Sequence, residues 1–256
     1  MLLGCDIGTA ATKAVLIKDD KLLHKVKVAT NANPDDALQR VHAAFASEAG
    51  ISATVIEQTA ITGWGQQKVS AQHINANHMN CLAKAAVWSE PSARSALCLG
   101  AQQGIALSIG KEARLLDYRV SDKCANGAGK FLDVISEALG CTVEETAAIA
   151  ELSTNDLSMS SQCAVFAESE VVSLVNAGEP VPDIMEAIFR SLIKNVATLC
   201  KRVRVKGPLV LGGGLMNNHR LVAILNDSIK TETAVFAQDP DYMAAVGAAL
   251  LAKRGN

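Results

Sequence analysis

Asp6-Ile7-Gly8-Thr9-Ala10-Ala11-Thr12-Lys13 is the stretch on which the reading of this chain turns. It joins two short β-like runs, Leu2 to Asp6 and Ala14 to Ile17. Glycine and threonine in a tight hairpin turn present backbone N–H groups and a hydroxyl to phosphate oxygens. Asp6, closing the first run, is placed to hold Mg²⁺ through water, because Mg²⁺ prefers carboxylate and water ligands. Lys13 adds a compact positive charge. Taken alone, the motif reads equally well as an ordinary Gly-Thr hairpin. It does not stand alone. Gly212-Gly213-Gly214 follows the buried run Leu209 to Leu211 and leaves room for a nucleotide to approach the backbone. Gly100-Ala101-Gln102-Gln103-Gly104 stands where a second phosphate turn belongs. The patterns G-x(4)-G-K-[ST] and G-x-G-x-x-G are both absent, which disfavours P-loop and Rossmann folds.

Outward from the first turn, Lys21 to Ala29 alternates apolar and polar residues as a half-exposed strand does. Asn33-Pro34-Asp35-Asp36 opens a helix, with Asn33 as N-cap and Pro34 in the first turn, ending near Gly50. Thr54 to Thr62 reads as a further strand. The order β-β-β-α-β is similar to a ribonuclease-H-like half, an α/β unit with a mixed sheet. Around Pro91 to Arg94 the pattern restarts, with strand-like runs at Ala96–Leu99, Gly104–Ile109 and Glu112–Tyr118. Helices are expected near 128–139, 142–152, 163–176 and 181–205. After the strand at 209–211 come a helix, a strand near 233–236 and a last helix from Asp241. The expectation is a duplicated α/β fold of two similar halves, 1–93 and 94–256, around a nucleotide cleft. The last helix is a candidate to pack on the first half.

The 256 residues suit two modest domains with ample core. With 49% hydrophobic and 20% charged residues, wholesale disorder is excluded. A net charge of −2 leaves no basic footprint for nucleic acid. The apolar run Met243 to Ala252 falls well short of the roughly 20 residues a membrane helix needs. Met-Leu-Leu-Gly-Cys-Asp-Ile-Gly at the start reads as no secretory signal, so a soluble cytoplasmic protein is expected, without membrane or nucleic-acid partners.

Seven cysteines, an odd number, argue against a disulfide framework. No C-x-x-C occurs, which excludes zinc ribbons and ferredoxin-type loops. Two cysteines have unusual surroundings. Cys124 lies in Ser121-Asp122-Lys123-Cys124-Ala125-Asn126-Gly127-Ala128-Gly129-Lys130-Phe131-Leu132, a glycine-rich loop running into an amphipathic helix. Cys163 lies in Ser160-Ser161-Gln162-Cys163-Ala164-Val165-Phe166-Ala167-Glu168-Ser169-Glu170, where paired serines supply an N-cap. Helix N-termini stabilise anions, so both thiols should be acidic and good metal ligands. A cubane cluster commonly takes four thiolates, and two per chain suffice only if two chains share it on a two-fold axis.

The opening Asp-x-Gly-Thr turn, the central glycine turn and the late Gly-Gly-Gly together resemble the ATPase superfamily of actin, heat-shock chaperones and sugar kinases. The two cysteine motifs look like the signatures of one family within it, the activators of 2-hydroxyacyl-CoA dehydratases and the ATPase subunits of benzoyl-CoA reductases. That resemblance implies an actin-like ATPase fold and a homodimer (or paired homologous subunits) with one [4Fe-4S] cluster at its interface. It further implies ATP-driven single-electron transfer to a CoA-ester dehydratase or reductase component, with a ferredoxin or flavodoxin as electron donor. Carried over residue by residue, Cys124 and Cys163 become the cluster ligands. Asp6 and Lys13 become the candidate catalytic residues of an ATP, ADP and Mg²⁺ site. Gly8, Thr9 and Ala10, then Gly100, Ala101 and Gln102, then Gly212, Gly213 and Gly214, become its nucleotide-binding turns.

The chain departs from the family pattern in places. The second phosphate turn usually reads Asp-Ile-Gly-Gly-Gln-Asp and here reads Cys98-Leu99-Gly100-Ala101-Gln102-Gln103, without either carboxylate. Gly63-Trp64-Gly65-Gln66 replaces Gly-Tyr-Gly-Arg, and His78 and Leu82 replace a glutamate and a histidine. Cluster binding is therefore better supported than efficient hydrolysis, and a nucleotide-binding cluster scaffold or sensor with little hydrolysis is the alternative. Glu168 and Glu170 read as dipole-stabilising groups rather than catalytic ones. Cys5, Cys141 and Cys200 read as core positions, and Lys201, Arg202 and Arg204 as a solvated helix end.

Overall fold

In the computed structural model the described residues are 1–121, 128–159 and 164–253. Two five-stranded mixed sheets organise the chain. In the first, β1 (Leu2–Ile7), β2 (Ala11–Lys18) and β3 (Lys21–Ala29) form an antiparallel meander. β4 (Gln58–Thr62) then joins β1 in parallel, with β5 (Ile74–Asn75) at the edge. The second sheet repeats this plan. β6 (Ser95–Leu99), β7 (Gly104–Ile109) and β8 (Leu115–Val120) make the meander. β9 (Leu209–Gly212) joins β6 in parallel and β10 (Thr233–Val235) follows outside it. The strand orders β3-β2-β1-β4-β5 and β8-β7-β6-β9-β10 make β1 and β6 equivalent.

Alternation along the strands sorts the side chains into layers. Leu3, Cys5, Ile7, Ala14 and Leu16 pack with α1 (Pro34–Ala49) on the outer face of the first sheet. Fully burying a side chain such as Leu3 or Phe45 contributes about 1.5–3 kcal/mol. Leu97, Leu99, Leu209 and Leu211 pack outward beneath α6 (Val181–Val203) and α7 (His219–Ser228). Between the sheets lie α2 (His78–Ser89) and α8 (Met243–Ala252), which contact each other and share a core with Val15, Ile17, Ala96, Ile105, Leu107 and Val210. α8 also lies against β1, β2 and β4. A helix apolar on every side must be buried on every side, and all of α8 except Leu251 is. α3 (Ala128–Ala138), α4 (Thr146–Glu151) and α5 (Ala164–Asn176) complete the second half above α6.

α1 has the expected caps. The Asn33 side chain accepts from the Asp35 N–H, and Gly50 takes the left-handed conformation at φ 64°. Three expectations shift. The strand foreseen from Thr54 begins at Gln58, because the Ser52 side chain accepts the Thr54 N–H and closes a short 3₁₀ turn at Ala53–Val55. The strand foreseen from Glu112 begins at Leu115, after left-handed backbone at Glu112 and Ala113. Cys141 is not a core position; it sits half-buried in the turn after α3, its Sγ donating to the Ser136 carbonyl at 3.4 Å. Cys5 and Cys200 are buried as expected, and Lys201, Arg202 and Arg204 are exposed. α2 went unread in the sequence, although Asn77 caps it by accepting the Asn80 N–H at 3.1 Å.

At the top of the second half, the Asp183 carboxylate accepts from the N–H groups of Asn155 and Thr154, the Ser153 hydroxyl and the Asn155 amide. These bonds, that of the Asn155 N–H foremost, lower its pKa to about 2. Beside it, Glu186 is gripped by Arg190 and Arg220 at 2.6–2.9 Å. These charges are spent on one another and brace α4, α6 and α7 together. No helix among the described residues is long and apolar enough to cross a membrane.

Candidate functional site

Cross-strand register places one polar row on the first sheet. Thr62, Asp6, Lys13 and Lys27 are successive partners across β4, β1, β2 and β3. Directly opposed residues point to the same face of a sheet. That face is the inner one, since Val15 and Ile17 on β2 share it with Lys13. Asp6 is buried and lies 4.0 Å from the Lys13 ammonium. The Thr62 hydroxyl lies 3.3 Å from Nδ1 of His78. Just beyond the row, the Gly8 N–H donates to the Ala11 carbonyl at 3.2 Å, and the Ala10 carbonyl accepts the Thr30 N–H. A buried hydroxyl pair, Thr12 and Thr30 at 3.0 Å, anchors the turn. Thr9 is half-buried and Ala10 exposed.

The equivalent row on the second sheet is Gly212, Cys98, Ile105 and Val120. Duplication thus puts Cys98 where the first half has Asp6, and Ile105 where it has Lys13. The second turn copies the first in its backbone, with the Gly100 N–H donating to the Gln103 carbonyl at 3.0 Å. Ala101 is half-buried and Gln102 exposed. Burial pushes the Cys98 thiol up to about 12, reinforced by Asp6 and Asp241 and opposed by Lys13. Asp6 and Lys13 of the charged row are thus near enough to act on Cys98 in the apolar one.

A third turn completes the arrangement. Gly213 follows β9 with φ 86°, and Gly63 follows β4 with φ 90°. Both sit in the left-handed region, and a Cβ on either would run into the carbonyl of the strand beside it, Leu99 or Ile7. A Cβ on Gly63 would also overlap the Asp6 carboxylate, so Gly63 makes the floor on which Asp6 rests. Gly212 is buried and Gly214 exposed. Against Gly214 stands Asp241, whose Oδ1 lies 2.7 Å from where a Cβ would be. Its Oδ2 accepts from Lys27 at 2.7 Å, while Asp239 accepts from Lys25 at 2.9 Å. Burial raises the Asp239 carboxyl, and the bonds from Lys25 and the Asp241 N–H outweigh it, leaving the pKa lowered. Lys27 and Asp241 escaped the sequence reading. Their signal was the register of β3 on β2, which only pairing reveals.

The structure thus sets Asp6 beside Lys13 and Gly63, and the Gly213 backbone against Leu99 at the root of the second turn. Among the described residues no three His, Cys, Asp or Glu side chains form a metal-ligating group. A cation here would keep most of its ligands as water and phosphate oxygen, as Mg²⁺ does, so the two separated carboxylates fit it. Cys124 and Cys163 lie outside the described residues. The helix that follows Cys124 is fixed to the second turn: the Lys130 N–H donates to the Ala101 carbonyl at 3.0 Å, and a Cβ on Gly129 would press on Ala101. The five described cysteines make poor ligands. Burial raises the thiol pKa of Cys5, and carries those of Cys81 and Cys200, like that of Cys98, to about 12; Cys141 is raised too.

Two duplicated halves with paired glycine turns on facing sheets define an actin-like ATPase fold. The chain belongs to the BadF/BadG/BcrA/BcrD ATPase family, whose profile it matches over residues 3–252. It is similar to the 2-hydroxyisocaproyl-CoA dehydratase activator of Clostridioides difficile, 32% identical over 250 residues that cover 98% of this chain and 94% of the relative. It is also similar to a benzoyl-CoA reductase subunit of Thauera aromatica, 33% identical over 258 residues, covering 96% and 91%. The solved structure of the Clostridium difficile activator with bound ADPNP superposes with a TM-score of 0.91, at 31% identity, covering 98% of this chain and 93% of that one.

Proposed function

We propose that the protein is an ATP-driven electron-transfer activator or subunit serving a CoA-ester dehydratase or reductase. Nucleotide would lie between the facing turns, with Gly8–Ala10 and Gly100–Gln102 cradling its phosphates and Gly212–Gly214 on its adenosine side. Asp6 would hold the water shell of Mg²⁺, and Lys13 a phosphate oxygen. Cys124 and Cys163, with the same pair from a second copy, would hold one [4Fe-4S] cluster, which supplies a low-potential one-electron couple when bound. Exposed Val134 on α3 and Val172 and Val175 on α5 offer apolar surface for that second copy to cover. The halves would divide near residues 93 and 94, and a cytoplasmic setting with a ferredoxin or flavodoxin as donor suits such chemistry.

The observation that carries this reading is the clamp between Ala101 and the first turn of α3, four residues beyond Cys124 in sequence at its start. A phosphate seated on the second turn bears directly on the helix that leads from the cluster cysteine. Family membership and the names of the relatives support the same chemistry.

Cys98 at the position equivalent to Asp6 sets an expectation for turnover. Without a carboxylate there, the isolated protein should bind ATP but hydrolyse it slowly. Catalytic positioning groups are worth roughly 10²–10⁴-fold in rate. The double change Cys98→Asp with Gln103→Asp should raise the single-turnover rate by about 10²-fold or more and leave the nucleotide dissociation constant nearly unchanged. Fast hydrolysis by the unmodified chain would show that another carboxylate positions the water, and would make the scaffold alternative untenable.

A further inference from the structure

The second sheet brings no charge to the cleft through its own strands: its row is Gly212, Cys98, Ile105 and Val120. A carboxylate nevertheless stands on that side. Asp241 comes from the segment between β10 and α8, and its side chain is only 11% exposed. One oxygen is fixed by Lys27, the last member of the polar row, at 2.7 Å. The other rests against Gly214, at a point that any Cβ there would contest. Asp241 also acts electrostatically on the Cys98 thiol, as Asp6 does, so both carboxylates lie within reach of that thiol.

Resting on the nucleotide reading above, we propose that Asp241 is the second carboxylate of the cleft, reaching the cation's water shell from beside the Gly214 turn. It replaces, from the crossing segment, the charge that position 98 does not bring. Lys27 pairs with Oδ2 as a counter-charge that a cation would compete with, and Gly214 leaves the carboxylate the space to lie at the turn. Asp241 is thus a positioning residue for the metal–nucleotide complex rather than a group that activates water, which keeps it compatible with slow hydrolysis.

An ion-pair strap and a cation holder make opposite demands on the two partners of the Lys27–Asp241 pair. The experiment is calorimetric titration of the full protein with ADP, once in excess Mg²⁺ and once in chelator, reading the ratio of the two affinities. Asp241→Asn keeps the shape of the side chain and leaves the Asp241 N–H bond to Asp239 in place. It should lower the ratio by roughly tenfold, the usual cost of removing a group that supports a bound metal. Gly214→Ala, which displaces the carboxylate without removing it, should lower the ratio in the same direction. Lys27→Met, which frees the carboxylate of its counter-charge, should leave the ratio unchanged or raise it. An unchanged ratio in Asp241→Asn, or an equal fall in Asp241→Asn and Lys27→Met, would overturn the proposal. ADP binding absent from the unmodified protein under both conditions would instead overturn the nucleotide reading, and this inference with it.

Discussion

Cys124→Ser or Cys163→Ser is expected to leave the anaerobically purified protein without iron, whereas the unmodified protein is expected to yield about four irons per dimer and the broad visible absorption of a cubane cluster. The loss should be all or none, because a cluster shared between two copies loses two of its four thiolates with each single change. Cys5→Ser, Cys141→Ser and Cys200→Ser should keep the iron. Burial holds the thiols of Cys5 and Cys200 protonated, and Cys141 is spent on the Ser136 carbonyl. Iron retained when Cys124 and Cys163 are both changed would remove the cluster assignment.

The second large effect concerns the layer between the sheets. Gly247 faces α2 so closely that a Cβ would overlap the Cys81 carbonyl, and Gly4 on β1 meets the Ala245 carbonyl of α8 in the same way. Backbone meets backbone at both points, and no side-chain rotamer can relieve an added group. Gly247→Val should force α2 and α8 apart and cost about 3 kcal/mol or more, at the upper end of overpacking. At about 2–4 °C per kcal/mol for a chain of this size, the melting temperature should fall by roughly 6–12 °C. Ala248→Gly, beside it in the same helix, offers the comparison: it carries only the helix-propensity cost of about 1 kcal/mol plus a lost methyl. A Gly247→Val protein that melts with the parent would show that the two helices have freedom to separate.

Much of this was legible before folding was considered. The Asp6–Lys13 hairpin, the Asn33 cap with its Gly50 stop, and the triple glycine after an apolar strand are local signals, and each element formed where its local chemistry put it. The missing pieces were those set by pairing. Nothing within Lys21–Ala29 says that Lys27 will sit opposite Lys13, or that Asp241 will reach it across 214 residues. α2 escaped because its buried side chains are mostly alanine, which gives a weak periodic signal. The equivalence of Cys98 with Asp6 became visible only once the two sheets showed the same strand order. The family resemblance had already marked position 98 as a departure; the duplication explains what the departure removes.

The central claim is that the proposed nucleotide cleft and the helices that follow Cys124 and Cys163 in sequence act as one device, joined where α3 rests on Ala101. The most direct measurement is the electron paramagnetic resonance spectrum of the reduced, iron-loaded protein, recorded without nucleotide, with MgADP and with MgATP. A coupled cleft predicts spectra that differ between the two nucleotides, and a difference that disappears in Asp6→Asn at concentrations where nucleotide is still bound. One spectrum, indifferent to both nucleotides in a protein shown to bind them, would contradict it.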